Sequence, residues 1–145
     1  MMNHQDTARL LRECNAGIVM GVSSLEDVLP HVKNARFAEI LASGKKEHAL
    51  LAKDARAMLR HYNMADKEPS AVVRAMAKMK TEMRLMMKEK DTVVADMITQ
   101  GCHMGVKSLS RYLNQYKEAE QCARDLAGKL VALEDRMAKD IRPYL

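Results

Sequence analysis

The chain has 145 residues, a length that fits one domain and can bury a core without metal or disulfide staples. Its 24 Lys and Arg against 19 Asp and Glu leave a formal charge of +5, but the signs are interspersed along nearly every segment, which describes a solvated surface and no basic arm for nucleic acid. One Phe, four Tyr and no Trp remove the stacking platform that single-stranded nucleic acids need, and proline at only 30, 69 and 143 leaves long stretches of helix-forming residues.

Three cysteines, Cys14, Cys102 and Cys122, are odd in number and show no C-x-x-C spacing. Neither a disulfide framework nor a zinc knuckle is indicated, and a reducing compartment fits. The opening "MMNHQDTARLL" has no basic stretch followed by an apolar run, and no segment approaches the ~20 apolar residues of a membrane span. The expectation is a soluble cytoplasmic protein without a nucleic-acid partner.

Residues 5–29 repeat apolar or small residues at Leu11, Cys14, Ile18, Gly21, Leu25 and Val28, the seam of a helix facing a bundle. Pro30 and "HVKN" end it, and Asn34 can cap the next helix, since its side-chain oxygen accepts an otherwise unpaired backbone N–H. That helix runs to about Tyr62 with Phe37, Leu41, Gly44, His48, Leu51, Ala55, Met58 and Tyr62 inward. After "NMADKEPS", Pro69 suits the start of a Met-rich helix over about 70–89. Its stripe falls out of phase near "KEKDT", so a break or kink is predicted near Asp91. An unbroken helix over 70–113 would be ~66 Å long at ~1.5 Å per residue, against ~40 Å for its neighbours. The next seam is Ala95, Ile98, Cys102, Gly105, Leu109 and Tyr112. "NQYK" turns into a last helix over about 118–141, with Ala123, Leu126, Leu130, Leu133, Met137 and Ile141 inward.

The two ends of the chain repeat each other. "MGVSSL" at 20–25 matches "MGVKSL" at 104–109, and "LRHY" at 59–62 matches "IRPY" at 141–144. The chain therefore reads as one domain over 1–145: a hairpin (5–62), a helical crossover (70–89) and a second copy of the hairpin (91–144). A long crossover allows two hairpins to pack about a pseudo-twofold axis as a four-helix bundle. These repeats, with the Met-rich middle and "MITQGCHMGVKSL", resemble small bacterial ferritin-like proteins. The resemblance covers nearly the whole chain and rests on packing motifs, so it implies an all-α ferritin-like bundle and no activity.

Di-iron bundles use a Glu-x-x-His on each of two helices besides further inward carboxylates. No Glu-x-x-His occurs: Glu47 and His48 are neighbours, and Met137 stands where a His would follow Glu134 by three. His48 is on a seam, where a lone histidine is a hydrogen-bonded core residue, or alternatively a ligand or a pH switch. His103 points about 100° from Cys102 on a helix, and His4, His31 and His61 fall at helix ends or turns. No nucleophile elbow, P-loop or Gly-rich nucleotide motif is present, and all three cysteines lie on or beside apolar seams, as inert thiols do. No catalytic residue and no cofactor are expected.

Met76, Met79, Met83, Met86 and Met87 lie within an arc of about 100°, with Arg74, Lys78, Arg84 and Lys88 opposite. Thioethers suit Cu(I), but an unbranched soft stripe of this kind is first of all a packing or interface surface. The expected function is thus assembly or partner binding by a non-catalytic bundle, as a homodimer through that stripe. The alternative is a metal- or small-ligand-binding bundle using His48 with Cys14, Glu47 or Glu134 and nearby Met.

Overall fold

A computed structural model describes residues 4–62 and 90–145. The Met-rich crossover helix expected over 70–89, with Met76, Met79, Met83, Met86 and Met87, lies outside the described residues. Within them the chain forms α1 (His4–Val28), α2 (Ala35–His61), α3 (Asp91–Gln115) and α4 (Gln121–Ile141). Short 3-10 turns, Leu29–His31 and Arg142–Tyr144, follow α1 and α4. Each of these turns carries its proline, Pro30 or Pro143, at its start, where a missing N–H costs nothing.

The ends of the helices follow local chemistry. Asn34 is extended and its side chain accepts a hydrogen bond from the Phe37 N–H at 2.9 Å, the cap expected for α2. Lys90 is extended as well (φ −108°, ψ 128°), so α3 starts afresh at Asp91, where the apolar phase changes. The Asp91 carboxylate accepts from the backbone N–H groups of Lys33 (2.9 Å) and Asn34 (2.8 Å), which binds the start of α3 to the α1–α2 turn. Helix α4 begins at Gln121, later than the predicted 118, because Ala119 is buried and the Glu120 N–H donates to Thr7 Oγ at 2.8 Å. The guanidinium of Arg124 donates to the carbonyl of Leu113 at the end of α3 and to that of Tyr116, which also accepts from the Ala119 N–H.

Helices α1 and α2 pair as one antiparallel hairpin and α3 and α4 as the other. The hairpins meet through α2 on α4 and α1 on α3, with α1 also reaching α4 across the middle. At one end Tyr62 hydrogen-bonds the Glu120 carboxylate and His4 meets Tyr62 edge-on. At the other, Phe37 stacks on Tyr144 with ring centroids 4.7 Å apart, near the Asp91 contacts. Tyr62 and Asp91 therefore stand at opposite ends of the bundle, as a long crossover between the hairpins requires.

Most of the seams read from the sequence are the core, but past His48 the buried row of α2 is Ala52, Ala55 and Leu59, and the expected Leu51, Met58 and Tyr62 are half-buried at its edge. Leu11, Cys14, Ile18, Leu25 and Val28 of α1 are buried, as are Phe37, Leu41, His48 and Ala55 of α2. Every expected inward residue of α4 from Ala123 to Ile141 is also buried. The repeat mates Leu25 and Leu109 are 2% and 4% exposed. Residues one repeat apart thus bury the same side chain, as a shared seam phase demands.

Candidate functional site

The glycines of the two "MGV" repeats face two polar groups buried between the hairpins. A Cβ on Gly21 would stand 2.9 Å from His48 Cδ2 and 3.1 Å from Nε2. A Cβ on Gly105 would meet the Glu134 carboxylate. Small residues at the same point of α1 and α3 thus make room for an imidazole on α2 and a carboxylate on α4. An isolated glycine inside a helical seam signals such a close approach.

His48 is 2% exposed. Its Nδ1 lies 2.7 Å from the Gly44 carbonyl oxygen. A carbonyl only accepts, so Nδ1 carries the proton, and in the neutral ring Nε2 presents its lone pair. Nε2 faces Glu134 Oε1 at 3.7 Å, an electrostatic approach too long for a hydrogen bond. Nε2 and Glu134 Oε2 are both buried without a hydrogen-bond partner among the described residues. Burial pushes the Glu134 carboxyl above the ordinary carboxylate range; His48 pulls it the other way when Nε2 also carries a proton.

These atoms border a cavity of about 40 Å³ whose walls include His48, Glu134, Cys102, Met97 and Met137. The Met137 thioether packs where a side chain on Gly44 would stand, one turn from His48. Burial, followed by the Glu134 and Asp135 charges, pushes the Cys102 thiol up to about 12. Ser24 and Gly101, half-buried, bring the cavity to the seam between α1 and α3. Such a volume holds an ion or a water molecule or two, far below the several hundred Å³ of an organic-ligand pocket.

Of the candidate ligands read from the sequence, the structure brings His48 and Glu134 together and separates the other two. Glu47 lies toward solvent and both of its oxygens take the Arg136 guanidinium, at 2.6 and 2.7 Å. Cys14 is fully buried two turns along α1 from Gly21, and burial with the neighbouring Glu13 charge pushes its thiol up to about 12. It is not part of the cavity wall. Cys122 is exposed and so differs from the buried thiol that its place beside an apolar seam suggested. His4, His31, His61 and His103 are exposed, as expected. Glu13 lies away from the cavity and hydrogen-bonds Tyr112, whose hydroxyl burial and the Glu13 charge push up to about 12.

Met97 was missing from the seam read from the sequence, because it stands beside Ile98 and off the main stripe of α3. It is nonetheless buried. The "MGV" glycines were the available signal, since a gap in a seam marks where a neighbour's bulky side chain enters. Among the described residues no three His, Cys, Asp or Glu side chains are grouped to hold a metal ion, and no helix is long and apolar enough to cross a membrane. Comparison of the chain with protein-family models, with curated proteins and with solved structures finds no match.

Proposed function

We propose that the chain is a non-catalytic, ferritin-like bundle that acts in the cytoplasm through assembly or partner binding, and that it forms a homodimer. Ferritin-like topology is supported by the repeated hairpins and by the opposite placement of Tyr62 and Asp91. The observation that carries the assembly reading is apolar surface left over once the core is closed. Val19 and Leu50 are 48% and 59% exposed. The antiparallel register that sets Gly21 against His48 puts them at one level of neighbouring helices. Met104, 40% exposed, stands near the same level on α3. We take these exposed apolar side chains as part of a contact surface for a partner.

The sequence adds the face of Met76, Met79, Met83, Met86 and Met87, which we assign to the dimer contact. Flexible thioethers fill irregular gaps and tolerate exchange for Leu, so they suit an interface. Light scattering on the full chain tests this. The wild type and a Met83→Leu/Met86→Leu variant should both be dimers, whereas Met83→Lys/Met86→Lys buries charge in the contact and should give a monomer. A monomeric wild type, or a dimer that survives the Lys pair, overturns the reading.

A further inference from the structure

We propose that the cavity between His48 and Glu134 is a binding site for a single Cu(I) ion, held by His48 Nε2 and the thioethers of Met97 and Met137, with Glu134 as counter-charge. This goes beyond the assembly reading and does not depend on it. Three observations meet at one place. The cavity measures about 40 Å³, which admits an ion and excludes organic ligands. Two polar atoms, His48 Nε2 and Glu134 Oε2, are buried there without hydrogen-bond partners among the described residues, and such atoms are rare in a settled core. Three sulfur-bearing side chains, Cys102, Met97 and Met137, share the wall with them.

The donor set selects the ion. Zinc and iron require several nitrogen, thiolate or carboxylate ligands. Among the described residues no three His, Cys, Asp or Glu side chains are grouped to supply them. Thioethers are poor ligands for those ions and good ones for Cu(I), which also accepts neutral imidazole. The His48 ring is already oriented for the task, since Nδ1–H is tied to the Gly44 carbonyl and Nε2 is directed at Glu134. A ligating histidine is held by its other nitrogen in the same manner. Charge also balances: one cation beside one carboxylate leaves the bundle interior neutral, where an uncompensated ion would be expensive. Cys102 adds a further soft sulfur to the wall.

The test is an anaerobic Cu(I) titration of the full-length protein in competition with the chromogenic chelator bathocuproine disulfonate, joined to X-ray absorption of the loaded protein. The wild type should withhold one equivalent per chain, with sulfur and nitrogen both in the first shell of the copper. Met97→Leu/Met137→Leu keeps side-chain volume, so helicity and melting should be nearly unchanged while Cu(I) affinity falls at least tenfold. His48→Gln should remove the nitrogen scatterer. The five-Leu variant Met76→Leu/Met79→Leu/Met83→Leu/Met86→Leu/Met87→Leu should retain the equivalent. No copper withheld by the wild type, equal affinity in the folded Met97→Leu/Met137→Leu variant, or loss of the equivalent in the five-Leu variant overturns the proposal.

Discussion

The imidazole of His48 lies against Gly21 with its Cδ2 2.9 Å from the place a Cβ would occupy. The ring cannot retreat freely, because its Nδ1–H is bound to the Gly44 carbonyl at 2.7 Å. Gly21→Ala should therefore destabilise the bundle by roughly 1–3 kcal/mol, the usual range for overpacking. Helix propensity alone gives the opposite sign. Gly128, exposed on α4 with nothing within 4 Å of a Cβ among the described residues, is the control. Gly128→Ala should stabilise by about 0.5–1 kcal/mol. Urea unfolding of the two variants decides the matter, and the same sign for both would mean that Gly21 is not the seat of the ring.

Leu25 and Leu109, 84 positions apart in the repeat, are both buried in the same core. Leu25→Ala and Leu109→Ala should each cost ~2–5 kcal/mol as core cavities. Chemical denaturation gives both values. Losses under ~0.5 kcal/mol at both positions would show that the repeated seams do not define the core.

That repeat is also where the sequence was most readable. Two copies of "MGV-x-SL" in equal seam phase placed the buried leucines, and Asn34, the phase change near Asp91 and the inward row of α4 followed from capping and period. The candidate site was half readable. His48 stood out as a polar residue on an apolar seam, but nothing local revealed that Glu134 would face it from α4, since that meeting depends on how the two hairpins are staggered. Glu47, next to His48 in the sequence, is as good a candidate ligand as Glu134 on sequence grounds. One helical step of about 100° turns it to solvent and to Arg136. Met97 lies off the stripe read from the sequence, yet it is buried in the cavity wall.

The three thiols should separate by reactivity. Cys14 and Cys102 are buried with their thiols pushed up to about 12, and Cys122 is exposed. Thiolate is the reactive form, and access is required as well. Iodoacetamide at pH 8 should modify Cys122 in the native protein while Cys14 and Cys102 react only on unfolding, as peptide mapping by mass spectrometry would show. Native-state modification of Cys102 at the rate of Cys122 would mean that the cavity beside it opens to solvent.

Glu134 should make stability depend on pH in the sense opposite to a paired surface carboxylate. Its folded carboxyl titrates above the ordinary range, chiefly through burial. In the window between the ordinary value and the raised one, the folded state therefore binds more protons than the unfolded chain. Linkage then requires that stability fall as pH rises through that window. The loss is complete above the raised value and absent below the ordinary one. Other carboxylates contribute with the opposite sign, so the informative quantity is the difference between the wild type and Glu134→Gln, whose neutral amide keeps the shape and cannot ionise. In metal-free buffer, urea midpoints measured from pH 4 to 8 should show the variant gaining on the wild type as pH rises and levelling off once Glu134 is ionised in both states. A difference that stays flat across the range would place the Glu134 carboxyl in contact with water, and one that shrinks with rising pH would make the His48 attraction stronger than the burial that opposes it.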